Sequence, residues 1–436
     1  MSEWLLIAAI ALAGLSGVPG LFRSRVSSAC EGLFTVLMLL AAICACAGAL
    51  IALAFRRAGD LAAPWSVPGG RFVVEVDAIT AMFAIQISVI GALGACYGLE
   101  YWSQREHPHD GRKLRAFYGM AHAAMLLLVV ARNAVLFLAG WEVMALAAFI
   151  LITTEDEKPA VRSVGYVYLL ATRLGTLCLF AMFALLGAAS GTLDFAGWPR
   201  ALASPLRDAI FVLGLCGFGL KAGVMPLHVW LPGAHANAPS HVSAFMSGVL
   251  IKMGIYGLVR LTGACEVPPA WWGYALVSAG VVSGVLGVGF AIGQHDLKRL
   301  LAYHSVENIG IICMGLGVAV LGRSLGRADL ITWGVAGALL HVWNHGLFKA
   351  LLFLSAGSVL HATGTREIDR LGGLLHRMPR TGLAFLVGAV AICGLPPLNG
   401  LISELFVYLG LFHAGEGGGS PWLMGTLAAP ALALIG

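Results

Sequence analysis

Twelve long apolar stretches separated by short polar loops occupy most of the chain. They fall at residues 4–22, 33–55, 73–97, 116–132, 133–154, 161–187, 208–230, 240–262, 271–293, 298–321, 329–360 and 381–412. An α-helix needs about 20 predominantly apolar residues to cross a bilayer, and each stretch approaches or exceeds that length. A further apolar segment begins near Pro421 and runs to Gly436, shorter than a comfortable span. The pattern predicts an all-α polytopic membrane protein of about 13 transmembrane helices without a second domain. Connecting loops such as 103–115, 155–162 and 366–380 are polar, and 190–205 is too polar to span and is expected at the surface. The first charged side chain is Glu3, so the N-terminal stretch lacks a basic leader region and predicts a first membrane helix.

Composition settles the solvent. Apolar residues make up 59% of the 436 and charged residues 11%, against about a quarter charged in soluble domains. Mean hydropathy is +0.87. The 57 glycines suit helices that approach closely in lipid. A net charge of +5, with no basic run interleaved with aromatics, excludes a nucleic-acid surface. The nine cysteines contain no CxxC pair, which predicts nine buried thiols packed as small hydrophobes and no iron–sulfur or haem site. With the N-terminus outside, the inner loops hold fourteen Lys and Arg residues and the outer loops nine, the bias that the positive-inside rule favours.

Two stretches break the helical pattern. One contains Pro226 and runs into Leu231 and Pro232; the other contains Gly394, Leu395, Pro396 and Pro397. Residues 116–262 supply five spans and 271–436 five more, and the broken one is the fourth of each set. Interrupted helices at matching positions point to a transporter built on inverted repeats. This predicts an N-terminal region at 1–115 with three helices, then the two five-helix sets, the last helix of the second being incomplete.

Charges inside the spans carry the candidate chemistry. A lysine or aspartate at a helix centre costs about 2.5–3.5 kcal/mol on insertion scales, so several in one chain are expected to face each other, water or a pathway. Glu142, Lys221, Lys252, Lys349 and Glu404 fall within predicted spans, as do Arg173, His304 and Glu307. His341, His345 and Lys349 recur at every fourth position and share one helix face over about 12 Å of axis. Imidazole titrates near neutrality, so such a stripe can pass a proton stepwise. The plain alternatives are a structural ion pair for Glu142 and a packed, hydrogen-bonded pair for the two histidines. A zinc site is disfavoured because His341 and His345 lack an adjacent Glu and a third ligand. Arg173 fits either a functional role or the anchoring of a carbonyl, and Asp77 is expected to cap a helix or to lie at the interface. His228, His235 and His241 flank the first break, lining an entry funnel or lying at the interface.

Three segments are recognisable: KAGVMPLHVWLPGAHANAPSHVSAFMSGVLIKMGIYGLVR at 221–260, LAYHSVENIGII at 301–312, and HVWNHGLFKALLFLSAGSVLHATGTREIDRLGGLLHRMP at 341–379. They resemble the proton-translocating antiporter-like subunits of respiratory complex I, Mrp-type cation/proton antiporters and membrane-bound hydrogenases, with similarity from about residue 70 onward. The wording of HSVENIGII, HATGTREIDRLGGLL and PPLNGLISELF looks most like the large membrane subunit of hydrogenase-4 and formate hydrogenlyase complexes. The resemblance implies a fourteen-helix core with two inverted five-helix repeats, each with a broken helix. It implies that Glu142 matches the glutamate of the fifth helix, Lys221 the lysine of the first broken helix and Lys252 the central bridging lysine. His341, His345 and Lys349 match the connecting polar residues, and Glu404 the terminal charge on the second broken helix. Family members continue past the point where this sequence stops, so a partner or further chain is expected to complete the second half-channel.

The expected function is proton translocation along Glu142, Lys221, Lys252, His341, His345, Lys349 and Glu404, with Arg173, His228, His304 and Glu307 as accessories. No cofactor is expected, because the chain has no flavin, nickel or iron–sulfur motif. Redox chemistry would fall to a peripheral, hydrogenase-like partner module beside other membrane subunits, in a bacterial or archaeal cytoplasmic membrane. Two other readings stand beside it: an Mrp-type antiporter subunit moving protons or sodium without a redox partner, and a non-conducting anchor for an enzyme.

Overall fold

A computed structural model describes residues 1–22, 28–55, 60–108, 110–199, 201–416 and 428. The terminal apolar segment predicted from Pro421 lies outside the described residues, apart from Ala428. Of the charges counted for topology, Arg23, Arg25, Arg56, Arg57 and Arg200 also lie outside them.

The described helices are α1 (Ser2–Leu21), α2 (Ser28–Phe55), α3 (Ala78–Tyr101), α4 (Asp110–Val130), α5 (Ala134–Ile152) and α6 (Pro159–Ser190). They continue with α7 (Ser204–Ala222), α8 (Leu231–Asn237), α9 (Ser240–Ala264), α10 (Ala270–Ile292), α11 (Leu297–Leu325), α12 (Ala328–Thr363), α13 (Pro379–Ile392) and α14 (Asn399–Gly415). Among the described residues, ten helices are long and apolar enough to cross a membrane. The chain is a multi-pass membrane protein.

Polar residues punctuate the apolar runs. Asp77 caps α3 by accepting from the Thr80 amide at 2.8 Å, as its position predicts. Asn133 caps α5 through the amides of Val135 and Leu136, and Asp296 caps α11 through those of Lys298 and Arg299. The third stretch starts later than its hydropathy predicts. Phe72–Glu75 is a strand, β2, paired antiparallel with β1 (Asp60–Ala63) in the register Asp60 to Glu75 and Ala63 to Phe72. Aromatic and β-branched residues behind the Gly69–Gly70 turn favour pairing over helix. Residues 191–199 lie between α6 and α7, outside the candidate spans, and the Phe195 amide ties them to the Arg132 carbonyl at 2.8 Å.

The chain divides into two compact units. The first comprises residues 1–199 and 237–256, the second 200–236 and 257–436. In the first unit α1 packs on α2 and α4, α2 on α3, α4 on α5 and α5 on α6. In the second, α11 packs on α10 and α12, while α12 also carries α13 and α14. Glycines at seven-residue spacing on α10 press against α11: a Cβ on Gly280 would lie 2.6 Å from the Gly310 carbonyl oxygen, and one on Gly273 2.8 Å from that of Gly317. The cysteines depart from expectation. Cys313 alone is buried, seven are half-buried and Cys393 is exposed. An apolar thiol needs no burial where the helix exterior meets lipid.

Candidate functional site

Both predicted breaks are real interruptions. α7 ends at Gly223, whose φ of 81° is left-handed, and the chain passes through the cis Met225–Pro226 bond before α8 begins. The Met225 amide donates to Ser283 Oγ at 2.9 Å, and the Trp230 indole donates to the Leu220 carbonyl at 2.8 Å. Lys221 therefore sits buried in the last turn of α7, one residue before the break, and not midway along a continuous span. The second break repeats the chemistry. Gly394 is left-handed at φ 59°, Pro396–Pro397 is cis, and Asn399 opens α14. Glu404 reaches back from α14 so that its carboxylate occupies the space a Cβ on Gly394 would take.

In the second unit the predicted His341, His345 and Lys349 face is buried within α12. His341 and His345 lie ring over ring, 6.3 Å apart with planes 6° from parallel. Lys349 donates to the Leu301 carbonyl and stands 5.8 Å from the centre of the Phe353 ring. His304 and the buried Glu307 pair on α11, and Asn308 donates to the His304 carbonyl at 2.8 Å. That orientation leaves Asn308 Oδ1 facing His341 Nε2 at 3.0 Å. On the other side of the ring, His341 Nδ1 lies 3.0 Å from Ser403 Oγ. Asn344 donates to Ser403 Oγ at 2.9 Å and to the Asn399 carbonyl at 2.7 Å. Sequence reading missed Asn308, Asn344, Asn399 and Ser403. Each is uncharged, so hydropathy alone gives it little weight, although Asn308, Asn344 and Ser403 each stand beside a residue already singled out.

Ser403 makes this network switchable. Its hydroxyl has one proton, and both the Gly400 carbonyl, at 2.9 Å, and His341 Nδ1 are within reach. With His341 neutral, Nε2–H donates to Asn308 and Nδ1 accepts from Ser403. With His341 protonated, Nδ1–H donates to Ser403, whose own proton turns to Gly400. Both charge states are fully hydrogen-bonded, as a buried carrier requires.

In the first unit Glu142 on α5 is ion-paired with Arg173 on α6, which gives Arg173 a partner. The other carboxylate oxygen, Oε1, is buried with no hydrogen-bond partner among the described residues. Lys252 is fully buried in α9 just past a wide turn at Met246–Leu250 and donates to the Ser247 carbonyl. The three histidines around the first break separate. His228 is half-buried near Tyr303, whereas His235 and His241 are buried. Among the described residues, no group of three or more His, Cys, Asp or Glu side chains is placed to hold a metal ion.

Comparison with known proteins gives the class. Residues 131–426 match the family described as NADH:quinone oxidoreductase/Mrp antiporter, membrane part, and the chain belongs to that family. Over 344 residues it is 40% identical to hydrogenase-4 component B of Escherichia coli, covering 78% of this chain and 51% of that protein. It is 38% identical to formate hydrogenlyase subunit 3 of the same organism over 365 residues, covering 83% and 58%. The structure superposes on a chain of the Mrp complex from Dietzia sp. DQ12-45-1b with a TM-score of 0.83 at 25% identity, covering 100% of this chain and 46% of that one. The fold is thus the antiporter-like membrane fold. The chain spans about half the length of the curated relatives it matches.

Proposed function

We propose that this chain is a proton-translocating subunit of a redox-driven membrane complex of the hydrogenase or formate hydrogenlyase kind. The observation that carries the reading is the buried His341 site, where Asn308 and Ser403 satisfy the imidazole in either protonation state. A group kept only for packing has no need of a second, equally satisfied arrangement. Likeness to hydrogenase-4 component B and formate hydrogenlyase subunit 3 supports the redox partner. In the proposed order Lys221 takes up a proton, Lys252 bridges, and His341, His345 and Lys349 carry it to Glu404 before exit. Glu142, ion-paired with Arg173, is in this proposal the acid that biases loading. The breaks at Gly223 and Gly394 would be the counterparts of two inverted repeats at 116–262 and 271–436, behind an N-terminal region at 1–115. The complex would lie in a cytoplasmic membrane with the N-terminus outside, beside other membrane subunits and a peripheral hydrogenase-like module.

The test is coupled proton transport in vesicles bearing the full complex. Lys221→Ala and Glu404→Ala should each abolish transport while the complex still assembles. Transport unchanged in both overturns the relay. A second reading, a subunit of an Mrp-type antiporter, is favoured by the superposition on the Mrp complex. Sodium-dependent proton movement without an electron donor would select it.

A further inference from the structure

A groove runs along the second unit beside α13, lined by none of the residues placed in the relay. Its volume is about 490 Å³, and Leu297, Val359, Leu371, Leu375, Phe385 and Ala389 line it. Thr381 adds a hydroxyl to this otherwise apolar lining. The walls are held by backbone contacts. The Leu297 amide donates to the Arg366 carbonyl at 2.9 Å, and the Ile368 amide to the His295 carbonyl at 2.8 Å. These bonds pin residues 366–368 to the start of α11. Gly373, left-handed at φ 64°, then turns the chain into one turn of helix at Leu374–Arg377. That turn lies against α13 at Gly382, where a Cβ would come 2.7 Å from Leu375 Cδ1. Gly382, Phe385 and Ala389 recur at helical spacing and give α13 one lining face. Gly388 sits instead against Leu352 of α12.

Charge gathers at one end of the groove. The acids there are already matched, Asp296 with Arg366, Glu367 with Arg370 and Asp369 with His295. Arg377 and Arg380 are exposed and make no ion pair among the described residues. Each is next in sequence to a lining residue, Met378 or Thr381. From Pro379 to Ala389 the groove follows about 15 Å of helix axis. That is the depth of one leaflet in a hydrocarbon core about 30 Å thick. A helix of the same length, about 10–12 Å across, would need more than twice the volume to sink into it. The space suits a single flexible chain, and Leu375 and Leu386 remain exposed along its open side.

We infer that this groove binds an anionic phospholipid, with one acyl chain along α13 and its phosphate at Arg377 and Arg380. The inference goes beyond the proposed function and stands whether or not the chain moves protons. Bulk lipid is as apolar as the groove, so preference for this seat rests on the headgroup. Each arginine near the surface strengthens the hold on an anionic lipid about fivefold.

The test uses the full-length chain in its native complex, reconstituted into phosphatidylcholine vesicles. A trace of lipid carries a photoactivatable diazirine at mid-chain, on phosphatidylglycerol in one batch and on phosphatidylcholine in the other. After illumination, mass spectrometry of peptides locates the label. The phosphatidylglycerol probe should label residues 371–389 at least about fivefold more than the phosphatidylcholine probe. Elsewhere along the chain the two should agree within about twofold. Arg377→Gln/Arg380→Gln, at two exposed positions, should bring the groove to the phosphatidylcholine level without changing the amount of assembled complex. Equal labelling of the groove by both probes in the parent complex would make it ordinary lipid contact and overturn the site. Labelling by neither probe would mean that protein covers the groove, and overturns it as well. A phosphatidylglycerol preference that survives the double variant would overturn the seat assigned to the phosphate.

Discussion

The two units hold polar groups within their helices in opposite ways. In the first, Glu142 is tied to a permanent cation, Arg173, with its second oxygen left bare. In the second, His341 sits among neutral partners, Asn308 and Ser403, and His304 contacts Glu307 on α11. An ion pair with a guanidinium that never deprotonates fixes a charge in place. A neutral network around an imidazole lets charge arrive and leave without an orphaned polar atom. On the proposed function, the first arrangement supplies field and the second conduction.

The largest expected break of that contrast is His341→Phe. It keeps the aromatic volume and removes both exchangeable positions, and transport by the assembled complex should fall at least about tenfold, a barrier rise of about 1.4 kcal/mol. Transport within twofold of the parent would show that protons bypass the network. Ser403→Ala removes the rotor alone. Neutral His341 then keeps one partner, and a fall of about threefold in transport, roughly 0.7 kcal/mol, is expected. Ser403→Thr, which keeps a hydroxyl, should recover most of the rate; equal loss in both variants would assign the effect to packing. Arg173→Gln tests the other half. Its main effect should be on membrane insertion and assembly, because a lone carboxylate in the bilayer costs about 2.5–3.5 kcal/mol on insertion scales. Transport per assembled complex should change by about twofold or less, as expected of a group that biases a carrier without itself conducting. The double variant Arg173→Gln/Glu142→Gln should restore the amount assembled. A rate loss as large as that of His341→Phe would place Arg173 in the conducting path.

How much was legible beforehand follows from the period and the cost of each residue. Helices announced themselves because twenty apolar residues in a row have few other uses. Both interruptions were visible because proline cannot continue a helix. The shared face of His341, His345 and Lys349 followed from a spacing of four, and buried charges were conspicuous because their insertion is expensive. The β1–β2 hairpin was missed because Phe72–Val76 is apolar enough to pass for the start of a span. The exposure of Cys393 was missed because an apolar thiol is equally content in a core or against lipid.

The sequence alone determined the class of solvent, the positions of the helices and the identities of the buried charges, all of which depend on residues close together along the chain. Only the tertiary structure decided which of these groups meet. Glu142 finds Arg173 31 residues away, His341 finds Ser403 at a separation of 62, and Tyr118 reaches Gly91 from the neighbouring helix. Those meetings depend on how helices rotate and slide as they pack, which glycines govern, Gly280 by letting backbones come close and Gly91 and Gly94 by leaving room for the His122 and Tyr118 side chains. Helical period places a side chain on a face; packing chooses what stands opposite.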